Sequence, residues 1–253
     1  MSANTTTGRP LRITVWNEGV HEAQHDPASM AVNYPDGIHG AIAQGLAEHF
    51  PDAAIRTAVL ADEEHGLTEE VLADTNVLLW WGHRAHAEVD DAVVDRVQRH
   101  VLAGMGLLVL HSAHFSKIFI RLLGTTCSLL WRNEGERELV WNVDPTHPIA
   151  QGIESPIIIP EQEMYGEYFD IPAPDELVFI SSFEGGEIFR SGITFTRGRG
   201  RIFYFSPGDQ EYPVYHQKQI RQVLANGVAW ASQPEVRRES PTVQHPEREW
   251  FAR

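Results

Sequence analysis

The chain of 253 residues has an ordinary apolar fraction of 42%, which suffices for the core of one large domain or, at most, two small ones. Its 20 Lys and Arg residues face 35 Asp and Glu residues, and the resulting formal charge of -15 argues against nucleic acid or an anionic membrane as a partner. With no apolar run long enough to cross a bilayer, no signal-peptide pattern and a single cysteine, Cys127, we expect a cytoplasmic protein.

Short apolar runs alternate with helical patterns along the first half of the chain, after a polar leader over residues 1–10 that we expect to be flexible. The runs predict strands at 11–16, 54–60, 77–81 and 106–110, and apolar residues at helical spacing predict helices at 37–50, 68–72 and 90–102. Continuous apolar strands, each followed by a helix, are typical of parallel sheets covered on both faces. The sequence therefore predicts a doubly wound, mostly parallel α/β fold.

The second half of the chain is richer in strands. Apolar runs between turn residues predict an extra β-rich segment with strands at 138–143, 156–159, 177–182, 187–196 and 201–205, followed by a helix at 214–231. We assign residues 11–231 to a single α/β domain. Residues 232–253 are rich in proline and charge and are predicted to form an extended tail. Its Trp250 and Phe251 would dock on the domain or on a second subunit, and we expect a homo-oligomer.

Two predicted strands end in the same His-x-x-His pattern. His83 and His86 follow the strand at 77–81, and His111 and His114 follow the strand at 106–110. If these strands are parallel neighbours, their ends lie about 5 Å apart, and all four imidazoles start from one edge of the sheet. Open α/β sheets bind ligands at that edge. A single histidine there could instead cap a helix or bond a loop carbonyl, but the group favours a site.

Further polar residues are predicted at the same edge of the sheet. Asn17, Glu18 and His21 follow the first strand, and His39 opens the next helix, from which its imidazole could face the same cleft. The chain carries no recognisable nucleotide-binding motif.

Carboxylates and tyrosines of the second half provide more candidates. Glu163 and Glu167 flank Tyr165 in the segment 161–167, and we predict that its Tyr-Gly pair lies in a loop that presents polar groups to a small ligand. Asp209 and Tyr212 follow the strand at 201–205, again at a strand end.

Ser112 is the candidate nucleophile of a serine-dependent hydrolase, because it lies where a strand turns towards a helix. A nucleophile elbow usually has glycines two residues to either side, whereas Ser112 has Leu110 and His114 there. The only cysteine, Cys127, lies 15 positions downstream and is predicted to be a buried small hydrophobe.

The ordered motifs VWNE, YPDGIH, WWGHRAH, LHSAHFSK, LLGT, EMYGEYFDIP, GGEIFRSG and YPVYH resemble the trehalose-utilisation (ThuA-like) family over residues 11 to about 231. The resemblance implies a class I glutamine amidotransferase-like fold, a relative of the flavodoxin-like fold. It also implies a role in the catabolism of trehalose and related disaccharides, small-molecule carbohydrates that a partner sugar dehydrogenase has oxidised to 3-keto forms. The amidotransferase cysteine corresponds roughly to Ser112, so the resemblance does not imply glutaminase activity.

The resemblance further implies a pocket suited to a divalent metal such as zinc. Zinc takes three or four imidazole and carboxylate ligands and leaves a position for water or a sugar oxygen, where it would acidify the water or stabilise an enediolate. We expect its ligands among His21, His83, His111 and His114, with Glu163 or Glu167 as the base. Our remaining candidates for contact with the sugar are Asn17, Glu18, His39, His86, Tyr165 and Tyr212.

One departure from the family pattern concerns the segment after the last strand. The resemblance leads us to expect Gly-His-Glu where this chain has Gly208-Asp209-Gln210. A carboxylate in place of an imidazole argues against any mechanism that needs a histidine there. Three interpretations therefore remain open, namely a metal-assisted isomerase or hydrolase, a Ser112-dependent hydrolase, and a non-catalytic sugar-binding or regulatory protein.

Overall fold

The computed structural model describes residues 10–25 and 27–233. Its nine strands belong to one continuous sheet. They are β1 (Arg12–Asn17), β2 (Ala54–Val59), β3 (Val77–Trp81), β4 (Gly106–Leu110), β5 (Leu130–Asn142), β6 (Ile157–Gly166), β7 (Glu176–Phe183), β8 (Ile188–Arg197) and β9 (Gly200–Phe205).

The strand order is β2-β1-β3-β4-β9-β8-β7-β5-β6. The pairings from β2 through β1, β3 and β4 to β9 are parallel, and the four from β9 to β6 are antiparallel. The α/β class is confirmed, but the sheet is mixed and not mostly parallel. The reason is that the β-rich second half extends the parallel sheet through hairpins, whose strands are antiparallel by construction.

In the described part of the chain, the sheet is accompanied by six α-helices: α1 (Pro27–Asn33), α2 (Gly37–His49), α3 (Glu69–Ala73), α4 (Asp91–Ala103), α5 (Lys117–Leu123) and α6 (Lys218–Ala231). Apolar residues of α2 and α6 pack on one face of the parallel strands, and those of α4 and α5 pack on the other face. In α4 the valines of one helical stripe, such as Val94 and Val97, are fully buried. Helices on both faces explain why β3 and β4 are apolar at every position.

Strand β6 corrects the prediction of a loop around Tyr165. The segment from Gln162 to Gly166 is buried and belongs to β6, where Tyr165 pairs with Trp131 of β5. Carboxylates and a Tyr-Gly pair are typical of a loop when only local sequence is considered. Pairing with the first residues of β5 instead buries the segment and satisfies its backbone groups.

Several predicted features differ in extent from the structure. Helices α1 and α5 were not predicted, and the predicted helix 214–231 is a short 3₁₀ turn, Val214–His216, followed by α6. Residues 1–9 of the predicted leader, and residues 234–253 with Trp250 and Phe251, lie outside the described residues. Among the helices that are described, none is both long and apolar enough to span a membrane.

Candidate functional site

The candidate site lies at the carboxyl ends of the parallel strands. Strands β3 and β4 are parallel neighbours, with Trp81 opposite Leu110, so the segments that follow them begin side by side. As a result, the ring centres of His83 and His111 are 6.2 Å apart. Strand β9, the next neighbour of β4, brings Asp209 to the same edge.

His111 lies at the centre of the site. It is fully buried, and its backbone has a positive φ of 51° where β4 turns into a 3₁₀ helix, a conformation that non-glycine residues seldom adopt. Its Nδ1 lies 2.8 Å from the carbonyl oxygen of Ser206. Because a carbonyl only accepts, Nδ1 carries the proton, and Nε2 is left to face the rest of the site.

Two buried carboxylates face His111 Nε2. Glu163 Oε2 lies 3.1 Å from it and Asp209 Oδ2 lies 3.5 Å from it. With Nε2 unprotonated, neither oxygen has a hydrogen-bond partner within the described residues. The hydroxyl of Tyr165 also lies 3.3 Å from Nε2, and its ring stacks on the imidazole with ring centres 5.0 Å apart. An unprotonated Nε2 between two carboxylates would be repelled, so the arrangement calls for a proton or a cation.

The electrostatics of the cluster agree with this geometry. Burial lowers the pKa of His111, but the carboxylates of Asp209 and Glu163 outweigh burial and raise that pKa to about 10. For Glu163, burial raises the pKa, and the imidazole of His111 outweighs it, so that the pKa lies below its ordinary value. Without another cation, the site therefore holds an imidazolium beside ionised carboxylate.

The same three residues fit a divalent metal. One ligand atom from each of His111, Glu163 and Asp209 lies within 4.8 Å of the others, and all three side chains are buried. One imidazole and two carboxylates with unpaired oxygens form a donor set of the kind that zinc accepts in open sites. Of the four histidines predicted as ligands, His111 is the one that belongs to this group.

The backbone after β9 is held in place around Asp209. The indole of Trp81 donates a hydrogen bond to the carbonyl oxygen of Gly208, and the backbone N–H of Asp209 donates to the side chain of Gln162. Gly208 has a φ of 140°, and a Cβ there would lie 2.0 Å from the hydroxyl of Tyr215. A glycine is therefore required at this position for the turn that aims Asp209 at His111.

A cavity of about 380 Å³ opens beside the cluster. Glu163 and Tyr165 belong both to its wall and to the surroundings of His111, so the cavity leads to the buried group. The lining residues are His83, His86, Ser112, His114, Phe115, Ser128, Leu129, Trp131, Glu163 and Tyr165. The volume suits a small organic molecule.

Of the other predicted histidines, His83, His86 and His114 line this cavity without joining the three-residue group, and His21 is not among the lining residues. His21 and His83 bond to each other through Nε2 and Nδ1, which are 3.0 Å apart. His114 Nδ1 donates to the carbonyl oxygen of Cys127 at 2.6 Å. Burial lowers the pKa of His86 to about 4 and that of His114 to about 3, so both imidazoles are neutral at pH 7.

The predicted residues at the end of β1 and just after it organise the loops of the site. Glu18 accepts hydrogen bonds from the backbone N–H groups of Arg84 and Ala85, and burial raises its pKa. Asn17 donates to Glu22 at 2.6 Å and lies 3.1 Å from His39 Nδ1. These contacts position the His83 loop and the start of α2, and their roles towards a sugar stay predictions.

Ser112, Glu167 and Tyr212 are engaged elsewhere. The hydroxyl of Ser112 donates to the carbonyl oxygen of Gly82 at 2.9 Å, so it is not bonded to an imidazole base. Glu167 binds the guanidinium of Arg190 through both oxygens. The Tyr212 hydroxyl lies 3.5 Å from Asn133 Oδ1. The geometry gives no support to Ser112 as a nucleophile or to Glu167 as a free base.

Besides Ser128 and Leu129 of the cavity wall, four residues of the site were not predicted. Trp131 and Phe115 line the cavity, and Gln162 connects Asp209 to the fully buried Glu138. The hydrogen bonds from Ser181 and Gln162 lower the pKa of Glu138, but burial outweighs them and raises it to about 7. Phe115 was detectable, since it directly follows His114, whereas the other three depend on the pairing of β5 with its neighbours.

Comparison with known proteins identifies the family. Two solved structures described as ThuA-like proteins have a similar fold. The one from Bacteroides uniformis has a TM-score of 0.63 and 14% identity, over 89% of this chain and 93% of that chain. The one from Parabacteroides merdae has a TM-score of 0.64 and 12% identity, over 90% of this chain and 93% of that chain. No curated protein matches the chain significantly. The model of the trehalose utilisation family, ThuA, matches residues 12–231, and the chain therefore belongs to this family.

Proposed function

We propose that this protein converts a small carbohydrate, a disaccharide carrying a keto group, at the cluster of His111, Glu163 and Asp209. The observation that carries the proposal is the meeting of this buried group with an open cavity at the carboxyl edge of the sheet. Membership of the trehalose utilisation family supports the substrate class.

A divalent metal such as zinc would be held by His111, Glu163 and Asp209. When bound there, such a cation would supply Lewis-acid stabilisation of the negative charge that develops on a substrate oxygen. The fit of the donor set, with two carboxylate oxygens that lack other partners among the described residues, supports this assignment.

The protein's own residues supply the binding and the proton transfer. Glu163 lies between cavity and cluster, and its lowered pKa keeps its carboxylate ionised at neutral pH. With Oε2 directed at the cluster as the metal ligand, Oε1 would be the oxygen that removes a proton from a carbon next to a keto group. Tyr165 contacts both His111 and Glu163, and its raised pKa keeps its hydroxyl protonated as a donor towards a substrate oxygen. Burial and the nearby His111 lower the pKa of His83, so a neutral imidazole bonded to His21 can exchange a proton with a sugar hydroxyl.

The test is turnover of a 3-keto disaccharide by the purified protein, followed by NMR, with the unoxidised disaccharide in parallel. Elemental analysis of the same sample measures its zinc content. We expect conversion of the keto form only, and loss of conversion after chelation.

Glu163→Gln tests the site within this assay, with Glu161→Gln as the matched control because Glu161 is exposed and lies two residues away on the same strand. We expect Glu163→Gln to reduce kcat by about 10²- to 10⁴-fold and Glu161→Gln to leave it unchanged. Full activity of Glu163→Gln, or inertness of the wild-type protein towards every keto disaccharide, would remove the basis of the proposal.

A further inference from the structure

Two large aromatic side chains stand exposed at the mouth of the cavity. Trp131 is 66% exposed and Phe115 is 48% exposed, although both contribute to the cavity wall. Phe115 is held by edge-to-face contacts with His86 and His114, with ring centres 6.2 and 5.9 Å apart. An aromatic ring fixed from one side and open on the other offers a flat apolar surface to a ligand.

Strand pairing sets the distance between Trp131 and the buried cluster. Trp131 lies opposite Tyr165 in the antiparallel pair of β5 and β6, so their side chains share one face with Cβ atoms roughly 5 Å apart. The ring of Tyr165 in turn lies 5.0 Å from that of His111. Tyr165 therefore lies between His111 and Trp131, next to each of them. This separation leaves room for one sugar ring at the cluster and a second ring at the mouth.

The charges around the cavity select against an anionic ligand. Among the described residues that line it, none is a lysine or an arginine, and the one formally charged side chain is the carboxylate of Glu163. The imidazoles of His86 and His114 are neutral because burial lowers their pKa. A phosphate group on a ring at the mouth would therefore find no lysine or arginine in the cavity wall to pair with.

We propose that Trp131 and Phe115 form a stacking platform for the second, non-reacting ring of an uncharged disaccharide. The inference rests on the proposed function and adds two specificities to it, for disaccharide over monosaccharide and for neutral over phosphorylated sugar. The apolar C–H face of the second ring covers Trp131, and its hydroxyls point to solvent or to the polar groups at the mouth.

Titration calorimetry with unmodified sugars tests the platform without requiring turnover. The probes are trehalose, methyl glucoside and trehalose 6-phosphate, measured with the wild-type protein and with Trp131→Ala and Trp131→Phe. The matched control is Trp141→Ala, because Trp141 is a half-exposed tryptophan of the same strand that does not line the cavity.

We expect Trp131→Ala to bind trehalose about tenfold more weakly, the effect of losing one aromatic stacking contact. Trp131→Phe should restore most of the affinity, and the binding of methyl glucoside should not change. The wild-type protein should prefer trehalose to trehalose 6-phosphate, and Trp141→Ala should behave as wild type.

Three results would overturn the platform. Trehalose binding by Trp131→Ala equal to that of the wild type removes the subsite and leaves the proposed reaction standing. A change of oligomeric state in Trp131→Ala on size-exclusion chromatography, with unchanged sugar affinity, assigns Trp131 to a subunit interface. Tighter binding of the phosphorylated sugar contradicts the charge argument. Trehalose binding that depends on Trp131, in a protein without turnover of any keto disaccharide, refutes the reaction and supports the platform.

Discussion

Glu138→Gln is expected to stabilise the protein at neutral and alkaline pH. Glu138 is fully buried next to Gln162, one oxygen accepts from Ser181 at 2.5 Å, and the other has no hydrogen-bond partner among the described residues. Burial raises the pKa of its carboxyl from 4.5 to about 7, because a carboxylate there loses more hydration than its hydrogen bonds return. Glutamine has nearly the same shape and carries no charge.

The magnitude follows from proton linkage. Below pH 4.5 the carboxyl is protonated in both the folded and the unfolded chain, and the wild type incurs no cost. Between pH 4.5 and about 7 the folded chain keeps the proton that the unfolded chain releases, so stability falls as pH rises. At about 1.4 kcal/mol per pH unit, the cost reaches about 3 kcal/mol near pH 7 and then stays constant.

The assay is urea unfolding of wild type and Glu138→Gln at pH 5, 6, 7 and 8, with the difference in free energy of unfolding plotted against pH. Glu161→Gln controls for the loss of one negative charge from a protein of formal charge -15, since Glu161 is exposed. We expect the two proteins to be nearly equal at pH 5 and the variant to be more stable by up to about 3 kcal/mol at pH 8. A pH-independent difference, or a variant less stable at pH 8, would show that the Glu138 carboxylate is compensated and would refute the reasoning.

Three further outcomes are expected. Zinc affinity should rise about tenfold per pH unit through the neutral range, because the metal displaces the proton of His111, whose pKa is raised to about 10. Calorimetry in two buffers of different ionisation enthalpy would show release of one proton. A zinc affinity independent of pH would exclude His111 as a ligand. Glu167→Gln should lower the free energy of unfolding by about 1–3 kcal/mol, because it loses the bidentate pair with Arg190, and sugar turnover should be retained. Loss of turnover in a variant of full stability would restore Glu167 as the base. Trp81→Phe should weaken zinc binding and lower stability by about 1–2 kcal/mol in thermal melts, because it leaves the buried carbonyl of Gly208 without its hydrogen-bond donor. Unchanged zinc affinity would show that this hydrogen bond does not position Asp209.

The half of the site that the sequence reveals comes from the parallel strands. Strands β3 and β4 are fully apolar, helix α4 shows a clear valine stripe, and their alternation indicates that the two strands are neighbours. That adjacency was sufficient to predict that His83 and His111 start from one edge, and their rings are 6.2 Å apart. Periodicity carries this information because each such strand is covered on both faces by helices.

The other half of the site depends on long-range pairing that local sequence does not encode. Glu163 and Tyr165 reach His111 because β6 pairs with the beginning of β5, a segment whose residues Leu130 and Trp131 are exposed and give no strand periodicity. Which strands pair is decided by packing across the sheet and not by the composition of one segment. By contrast, helix α5 carried readable signals, since Ser116 caps its first turn and Gly124 ends it in the left-handed conformation.

The position of Asp209 bears on the question raised by the family resemblance, which leads us to expect a histidine there. The expectation of a histidine at this position cast doubt on catalysis, yet the Asp209 carboxylate points at His111 Nε2 and lies wholly inside the protein. With an imidazole there, the site would hold a single carboxylate. With aspartate, two carboxylates face one nitrogen, and together they would offer a divalent cation two oxygen ligands of opposite charge. The Asp209 carboxylate therefore strengthens the case for a cation at this position, and a donor set with two carboxylates would suit manganese as well as zinc.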